Sequence, residues 1–214
     1  MKIKVLEKST DRVKIQLQGI SLSYANAIRR IALSEVPVMA IDNIIIIENS
    51  SIMYDELLAH RLGLIPLKTD LSKYVLPKDC DCDNSLGCLK CSVSLVLDSG
   101  NNDSTKEILS GQLKSVSDTT TIPINSDIPI VKVAPGQKVS LEAYARLGTG
   151  KEHAKWQASN VSILKLTKED TDNDYTLEIE STGALSAIEI FVKATEILRN
   201  ELREFTEKTG GLKK

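Results

Sequence analysis

The sequence predicts an α+β protein with a β-rich middle segment and a four-cysteine metal site. Strand-like alternation and two amphipathic helical patterns occupy the two ends of the chain. Between them lie short β-like runs separated by Asn, Ser, Gly and Pro. All four cysteines fall within 80–91, too close together to crosslink distant parts of a secreted fold. The 214 residues suffice for one large domain or two small ones.

Composition disfavours several classes of protein. Hydrophobic residues make up 42% and charged residues 26% of the chain, as in folded globular proteins. The formal net charge of −2 gives no basic excess for holding phosphates, which disfavours a stand-alone nucleic-acid-binding protein. The first ten residues contain no apolar leader, and the longest apolar run, 44–47, is far shorter than the ~20 residues that span a bilayer. We therefore expect a soluble, cytoplasmic protein with no membrane association.

The amino-terminal segment predicts a β-hairpin with one buried face, followed by a helix. MKIKVLEK and RVKIQLQG each alternate apolar with polar residues on either side of a turn. Apolar residues then recur at spacings of three and four until Pro37 ends the helix. Asn26, Arg29 and Arg30 share the polar face of this helix. A solvated face is the ordinary reason for adjacent arginines, and a docking site for a partner's carboxylates and carbonyls is the alternative.

The next two elements are a strand and a short helix. VMAIDNIIIIEN is rich in β-branched residues and bounded by polar turns, which favours a buried strand. ELLAHRL predicts a helix that Asp55 caps, with Gly63 just past its end and Pro66 preventing its continuation. A β-rich segment follows, with strand candidates SVSLVL, TIPI, IPIVKV and KVSLEAYARL and an exposed loop at SGNNDSTKEILSG.

A long helix follows two further strand candidates. Ser186 and Glu189 form an S-x-x-E capping box at its start, and Gly210 and Gly211 mark its end. One apolar stripe of this helix consists of Ile188, Phe191, Val192, Leu198, Leu202 and Phe205. Further apolar residues widen the stripe beyond what one packing surface needs, so we expect part of the helix to contact another chain. The alternative is a helix sandwiched within its own domain.

The four cysteines form the pattern C-x-C-x5-C-x2-C, which is typical of a metal site. Cys80, Cys82, Cys88 and Cys91 supply four soft thiolates, and Gly87 lets the backbone fold both pairs around one ion. Zinc is the leading candidate. Four sulfur ligands leave no open position for water, so such a zinc is structural rather than catalytic. An iron–sulfur cluster uses the same ligands, and disulfides or free thiols are further alternatives.

The sequence contains no recognisable catalytic motif. His60 and His153, the two histidines, have no sequence neighbours that complete a catalytic set, which favours surface or packing roles. G-x-S-x-G, P-loop and G-x-G-x-x-G motifs are absent, and LGTGK lacks the Walker spacing and favours a turn. A metal-dependent enzyme needs an open coordination position, and a zinc-stabilised nucleic-acid module needs basic and aromatic residues. The sequence supports neither interpretation well.

Five blocks, taken in order, resemble a known family. They are SYANAIRRIALSEVPVMAID, DELLAHRLGLIPL, the four-cysteine segment, GKEHAKW and YTLEIESTGALSAIEIFVKATEIL. Together they are similar to the D subunits of archaeal RNA polymerases, whose relatives are the third-largest subunit of eukaryotic RNA polymerase II and the amino-terminal region of bacterial α. The resemblance covers nearly the whole chain.

The resemblance implies a discontinuous α-like dimerisation domain, 1–48 and 158–214, interrupted by a β-rich insert domain, 49–157, with a zinc loop at 80–91. It implies a subunit without catalytic residues that pairs through its long helix with a smaller α-like partner, subunit L. The pair recruits the large catalytic subunits of DNA-directed RNA polymerase, and subunits N and P join the same platform. No direct sequence-specific nucleic-acid binding is implied. The helix face with the paired arginines is implied to meet a large subunit.

Two departures from the family pattern matter. Many archaeal members carry a ferredoxin-like insertion with an iron–sulfur cluster, whereas here only TKEDTDNDYT separates the last two strands. We therefore expect one structural Zn²⁺ and no iron–sulfur cluster. Five residues separate the two cysteine pairs, where the eukaryotic relative tends to have fewer, so the resemblance implies zinc ligation without fixing the shape of the loop.

Overall fold

The computed structural model describes residues 1–116, 118–167 and 173–210. The chain divides into two compact units, the first joining Met1–Val36 to Thr149–Lys214 and the second formed by Pro37–Gly148. The described ranges contain no helix of the length and apolar character needed to cross a membrane.

The first unit is a four-stranded antiparallel sheet with two helices on one face. Its elements are β1 (Lys2–Lys8), β2 (Arg12–Gln18), α1 (Leu22–Ser34), β9 (Ser159–Leu166), β10 (Asp174–Ser181) and α3 (Ala187–Gly210). The strand order is β1-β2-β10-β9; α1 packs on β9 and β10, and α3 on β2 and β10. The predicted hairpin, first helix and last helix are confirmed, but every residue of β1 is exposed, so only β2 has the predicted buried face. The TKEDTDNDYT connection lies partly outside the described residues.

Capping side chains near the start of each helix explain where the two helices of the first unit begin. The Ser21 hydroxyl accepts a hydrogen bond from the backbone N–H of Tyr24 at the start of α1. The predicted capping box is present at α3. The N–H of Ser186 donates to the Glu189 carboxylate at 2.9 Å, and the N–H of Glu189 donates to the Ser186 hydroxyl at 3.4 Å. Gly211 lies outside the described residues.

Pairing between β2 and β10 brings the two ends of the chain into one sheet. Ile15 lies opposite Leu177 and Val13 opposite Ile179. All four side chains are fully buried, because the helices cover this face of the two central strands. The core of the first unit therefore depends on residues far apart in the sequence.

The second unit contains a four-stranded sheet, a two-stranded sheet and one helix. Its elements are β3 (Val38–Asn49), α2 (Asp55–Gly63), β4 (Ser92–Asp98), β5 (Lys106–Leu109), β6 (Lys114–Ser115), β7 (Pro129–Val133) and β8 (Val139–Gly148). The strand orders are β3-β8-β4-β6 and β5-β7. One apolar core joins them, in which Leu58, Leu95 and Leu141 are fully buried. The mixture of strands and helices agrees with the predicted fold class.

The unit boundaries differ from the positions that the sequence predicts. All of β3 pairs with β8, from Val38 opposite Gly148 to Asn49 opposite Val139, so the strand belongs to the second unit. The first boundary therefore lies at 36/37 rather than 48/49. The second lies at 148/149 rather than 157/158, since the next segment joins α1 through a hydrogen bond from the N–H of Lys151 to the carbonyl of Ser34 at 2.8 Å.

Several local predictions are wrong. Tyr54, not Asp55, is the residue that precedes α2, and the Asp55 carboxylate accepts a hydrogen bond from the Asn49 amide at 2.7 Å instead of capping the helix. Gly63 is the last helical residue, not the one beyond it. The segment SGNNDSTKEILSG is not wholly an exposed loop, because it contains β5 and the fully buried Ile108. The segment TIPI forms one isolated bridge instead of a strand.

Candidate functional site: the four-cysteine loop and the exposed apolar surface

The four cysteine side chains converge on one point. Their sulfurs are separated by 3.4 Å (Cys80–Cys82), 3.7 Å (Cys80–Cys88), 3.5 Å (Cys82–Cys91) and 3.9 Å (Cys88–Cys91), and all lie within 4.8 Å of one another. Zn–S bonds of about 2.3 Å place the sulfurs of a regular tetrahedron about 3.8 Å apart. No pair approaches the ~2.05 Å of a disulfide bond, and all four cysteines are free. The spacing is compatible with one tetrahedrally coordinated ion.

The backbone of the loop is folded tightly around the sulfurs. The N–H groups of Cys91 and Ser92 both donate to the carbonyl of Cys88, at 2.9 and 2.8 Å, and the N–H of Cys88 donates to the Cys91 sulfur at 3.2 Å. Gly87 has a φ of +85°, and a Cβ there would lie 2.6 Å from Ser92 Cβ and 3.1 Å from Cys91 Sγ. Glycine is therefore required both by the backbone conformation and by the space beside the sulfurs.

The environment changes the pKa of two of the thiols in opposite directions. The backbone N–H of Lys90 donates to the Cys88 sulfur and lowers the pKa of the Cys88 thiol to about 7. Burial raises the pKa of the Cys91 thiol to about 12. A thiol that coordinates a metal ion releases its proton to solvent, so a soft cation stabilises this donor set in its ionised form.

A polar cluster around Asp118 holds the chain that leads into the cysteine loop. The Asp118 carboxylate accepts hydrogen bonds from the Tyr74 hydroxyl at 2.7 Å, the Thr121 hydroxyl at 3.0 Å and the backbone N–H of Thr120 at 3.0 Å. Burial raises the pKa of Asp118, and these hydrogen bonds lower it by more, so that it lies well below its usual range. Burial and the bond to Asp118 raise the pKa of Tyr74 to about 12. No local sequence pattern links the two segments of this cluster, so the cluster could not be predicted from the sequence.

The predicted interface stripe on α3 divides into a buried half and an exposed half. Phe191 is buried within its own unit, and Ile188 and Leu198 are half-buried. Leu202 and Phe205 are 42% and 66% exposed. Val192, which belongs to the same predicted stripe, is 48% exposed, so only part of the stripe in the first half of the helix packs in its own unit, and the second half presents large apolar side chains to solvent.

The helices of the first unit leave one strand of its sheet uncovered. Ile3 and Val5 on β1 lie opposite Leu17 and Ile15 and share the face that the helices cover elsewhere. Leu17 and Ile15 are buried, whereas Ile3 and Val5 are 52% and 47% exposed. A groove of about 620 Å³ lies here, and its lining includes Met1, Ile3, Leu17, Tyr24, Ile28 and Phe191.

The groove and the end of α3 form one stripe of apolar surface. Phe191 and Thr195 line the groove, and Leu198, Leu202 and Phe205 follow them on the same side of the helix at spacings of three and four. We call the exposed part of this surface the open apolar face: Met1, Ile3, Val5, Tyr24, Leu202 and Phe205. The contribution of β1 to this face could not be predicted from the sequence, because alternation of apolar and polar residues does not show what covers a strand.

The polar face of α1 is only partly available to a partner. The Arg29 guanidinium donates to the Asn26 side-chain oxygen at 2.8 Å and to the carbonyl of Ser162 on β9 at 3.5 Å. Arg30 is exposed, and its side chain has no hydrogen-bond or ion-pair partner among the described residues. Arg29 therefore contributes hydrogen bonds to its own unit, and the assignment of both arginines to docking stays a prediction.

The two histidines lie at the surface and apart from the cysteine cluster in the sequence. His60 is exposed near the end of α2. His153 is exposed, and its Nδ1 accepts a hydrogen bond from the backbone N–H of Lys155 at 3.0 Å.

Comparison with known proteins defines the class of this chain. Residues 39–171, which include the cysteine cluster and nearly all of the second unit, match the family model described as the RNA polymerase Rpb3/RpoA insert domain. The match covers more than half of the chain, and the protein therefore belongs to this family. The resemblance inferred from the five sequence blocks is confirmed.

The curated relatives carry one name, DNA-directed RNA polymerase subunit Rpo3. The chain is 45% identical to the protein from Methanosphaera stadtmanae over 169 residues, 48% identical to that from Pyrobaculum islandicum over 162 residues and 41% identical to that from Thermococcus kodakarensis over 174 residues. These alignments cover 77%, 75% and 81% of this chain and 61%, 60% and 63% of the relatives. The chain thus spans about three-fifths of the length of these proteins.

Proposed function

We propose that this protein is a non-catalytic assembly subunit of a DNA-directed RNA polymerase. In this proposal the first unit pairs with the small α-like subunit L, and the pair recruits the large catalytic subunits together with subunits N and P. The name of the relatives supports the polymerase assignment. The open apolar face is the observation that carries the assignment of a partner to the first unit.

The energetic argument rests on the size of the exposed side chains. Burying one large aliphatic or aromatic side chain contributes about 1.5–3 kcal/mol. Ile3, Leu202 and Phe205 each expose two-fifths or more of their surface on the same side of the unit. Contiguous apolar surface of this kind is typical of a protein interface and is unfavourable in water. A partner that covers this face would remove these side chains from water and so contribute this burial free energy, which the isolated chain does not have.

Co-expression with subunit L tests the proposal. The double variant Leu202→Asp, Phe205→Asp should fold with the melting temperature of the wild type, because both side chains are solvent-exposed in the isolated chain. The same variant should fail to co-purify with subunit L, because two carboxylates would be buried without partners. Phe191 is unsuitable for this test, since it is buried in its own unit.

Ile163 provides a matched control for this experiment. It is a 39% exposed apolar residue on β9, in the same unit but on another element. Ile163→Asp should leave both the fold and the pairing with subunit L intact. Wild-type stoichiometry of subunit L with the double variant, or equal loss with Ile163→Asp, would show that the partner binds elsewhere.

Arg30 is the residue through which α1 docks a large subunit in this proposal. Its guanidinium is exposed and has no partner among the described residues, so its donors are available to carboxylates or carbonyls of another chain. Arg29 supports the site by holding Asn26 and β9 in place. The two neighbouring arginines thus have different roles.

Single alanine variants separate the two arginine roles. Arg30→Ala should change the unfolding free energy by less than about 0.5 kcal/mol, as surface substitutions do, and should reduce recruitment of the large subunit. Arg29→Ala should destabilise the isolated chain by about 1 kcal/mol, because it removes hydrogen bonds within the unit. Normal polymerase assembly with Arg30→Ala would rule out this docking role.

The cysteine cluster is assigned one structural Zn²⁺. The sulfur spacing supports a single ion, whereas an iron–sulfur cube holds several metal atoms between its cysteines and separates their sulfurs further. Cys80, Cys82, Cys88 and Cys91 fill all four positions, which leaves none for a reacting water. The zinc would fix the loop that precedes β4 on the core of the second unit.

A further inference from the structure

The second unit has a sheet edge that no described strand covers. β3 is the outermost strand of the order β3-β8-β4-β6 and pairs with β8 on one side only. The backbone of 43–48 makes no hydrogen bond on its other side to any residue in the described parts of the chain. An exposed edge of this kind presents unpaired N–H and C=O groups to another chain.

Isoleucines on both faces of β3 are incompletely covered. Ile45, opposite Glu142, and Ile47 project from the side of the sheet away from the core and are 44% and 64% exposed. Ile44 and Ile46 point towards the core but are only partly buried. A surface that docked on one face of the sheet would cover only one of these pairs. A strand added beside β3 covers both.

The loop after β3 extends the apolar surface. Ile52 is 89% exposed and Tyr54 is 80% exposed. The Asn49 amide donates to the carbonyl of Met53 at 2.9 Å and to the Asp55 carboxylate at 2.7 Å, which ties this loop to the end of the strand. The exposed isoleucines and the loop therefore belong to one region.

The charge around the end of β3 is negative. Lys138 lies 3.8 Å from the Glu48 carboxylate and 3.9 Å from that of Asp98, so two acids share one cation. Asp55 and Glu56 at the start of α2 have no ion-pair partner among the described residues. A partner segment with basic side chains would complement this charge.

We propose that the free edge of β3 accepts a short extended segment of a partner protein in which apolar and basic residues alternate. Bulges on either side of 43–46 limit the regular ladder to these four residues, so a short segment suffices. The strand VMAIDNIIIIEN itself contains no Lys or Arg, so a second copy of β3 would bring no basic side chain to this acidic edge. This site is separate from the open apolar face and does not depend on the proposed partner of the first unit.

A synthetic peptide provides the probe. A fluorescently labelled peptide of alternating lysine and valine should bind the full chain, and binding should weaken as salt is raised. A peptide with glutamate in place of lysine should bind at least tenfold more weakly. The lysine peptide with methylated backbone nitrogens should also lose binding, because it cannot pair with a strand edge.

Two variants of equal charge locate the site. Ile47→Lys should weaken binding of the lysine peptide by about tenfold or more, since it adds like charge and removes an apolar contact. Val116→Lys adds the same charge at another 68% exposed residue of the second unit and should leave affinity near the wild-type value. Unchanged melting temperatures check that both variants are folded.

Several results would overturn the proposal. These are no binding of the lysine peptide, equal binding of the glutamate or methylated peptide, or equal weakening by Val116→Lys. A wild-type dimer that Ile47→Lys dissociates would assign the edge to self-pairing instead. None of these results concerns the first unit, so they test the strand-edge proposal independently of the proposed polymerase function.

Discussion

The two units differ in how completely the apolar faces of their sheets are covered. In the second unit, strands from both sheets and α2 close around one core, and Leu95, Leu97 and Leu141 are fully buried. In the first unit, α1 and α3 bury the central strands but leave β1 and the end of α3 in solvent, so that Ile3 is 52% and Phe205 66% exposed.

The difference shows how a sheet can require another chain. Two helices cover the central strands of the first unit's four-stranded sheet and leave β1 open, and the apolar residues on β1 have the same period as those of its buried neighbour. The apolar pattern of β1 is thus that of a buried strand, but no described element of the unit covers it. In the second unit, the edge of β3 also leaves large apolar side chains in solvent, with Ile45 44% and Ile47 64% exposed.

The largest effect predicted for either unit is loss of the metal. Cys91→Ser removes a buried ligand next to β4 and should reduce bound zinc from one per chain to none. It should destabilise the second unit by on the order of 5 kcal/mol, because the proposed zinc would organise the loop. Metal analysis of chelator-free protein and thermal unfolding measure the two effects.

Ser85→Ala is the control within the same loop, at an exposed residue outside the four sulfurs. It should retain one zinc per chain and the wild-type melting temperature. Iron with a visible chromophore in the wild type, or full zinc content in Cys91→Ser, would contradict the assignment.

The second prediction compares one leucine from each unit. Leu95→Ala in the closed core should cost about 2–5 kcal/mol, because it leaves a cavity. Leu202→Ala on the open apolar face should cost less than about 0.5 kcal/mol in the isolated chain. Denaturant unfolding of both variants checks the contrast. Equal costs would mean that Leu202 is already buried without a partner.

Sequence patterns predicted the elements that depend on local chemistry. The Ser186–Glu189 capping box, the first hairpin and the spacing of the cysteines involve residues within a few positions of one another. Such contacts follow from residue type and spacing. The strand VMAIDNIIIIEN was predicted for the same reason, but its predicted burial was wrong beyond the first four residues, because its second half lies at an open sheet edge.

Contacts between distant segments could not be predicted in this way. The placement of β3 in the second unit depends on β8, and the burial of Ile108 depends on β7. Phe191 and Phe205 belong to the same apolar stripe, but the fold buries one and exposes the other. The hydrogen bond between Tyr74 and Asp118 likewise joins segments that share no local pattern.

The smallest of the three effects concerns the Asp118 cluster, which fixes the segment before the cysteine loop. Asp118→Asn should destabilise the chain by about 1.5–3 kcal/mol at pH 7, because hydrogen bonds to a charged group are lost. The folded pKa of Asp118 is lowered, so its contribution is present above the ordinary value of about 3.9 and is lost as pH falls through the lower folded value. Urea unfolding of the wild type and of Asp118→Asn between pH 7 and pH 3 measures how the contribution of Asp118 to the unfolding free energy changes with pH.

The stability difference between wild type and Asp118→Asn should be constant near neutral pH and shrink in acid. A difference that grows as pH falls would mean that the folded carboxyl prefers its protonated form.

Amide hydrogen exchange with and without subunit L tests the central claim, that the open apolar face of the first unit is the assembly surface. Binding should slow exchange in β1 and in the last turns of α3, while the buried strands of the second unit stay unchanged. Protection confined to the second unit, with none in β1 or α3, would contradict the account.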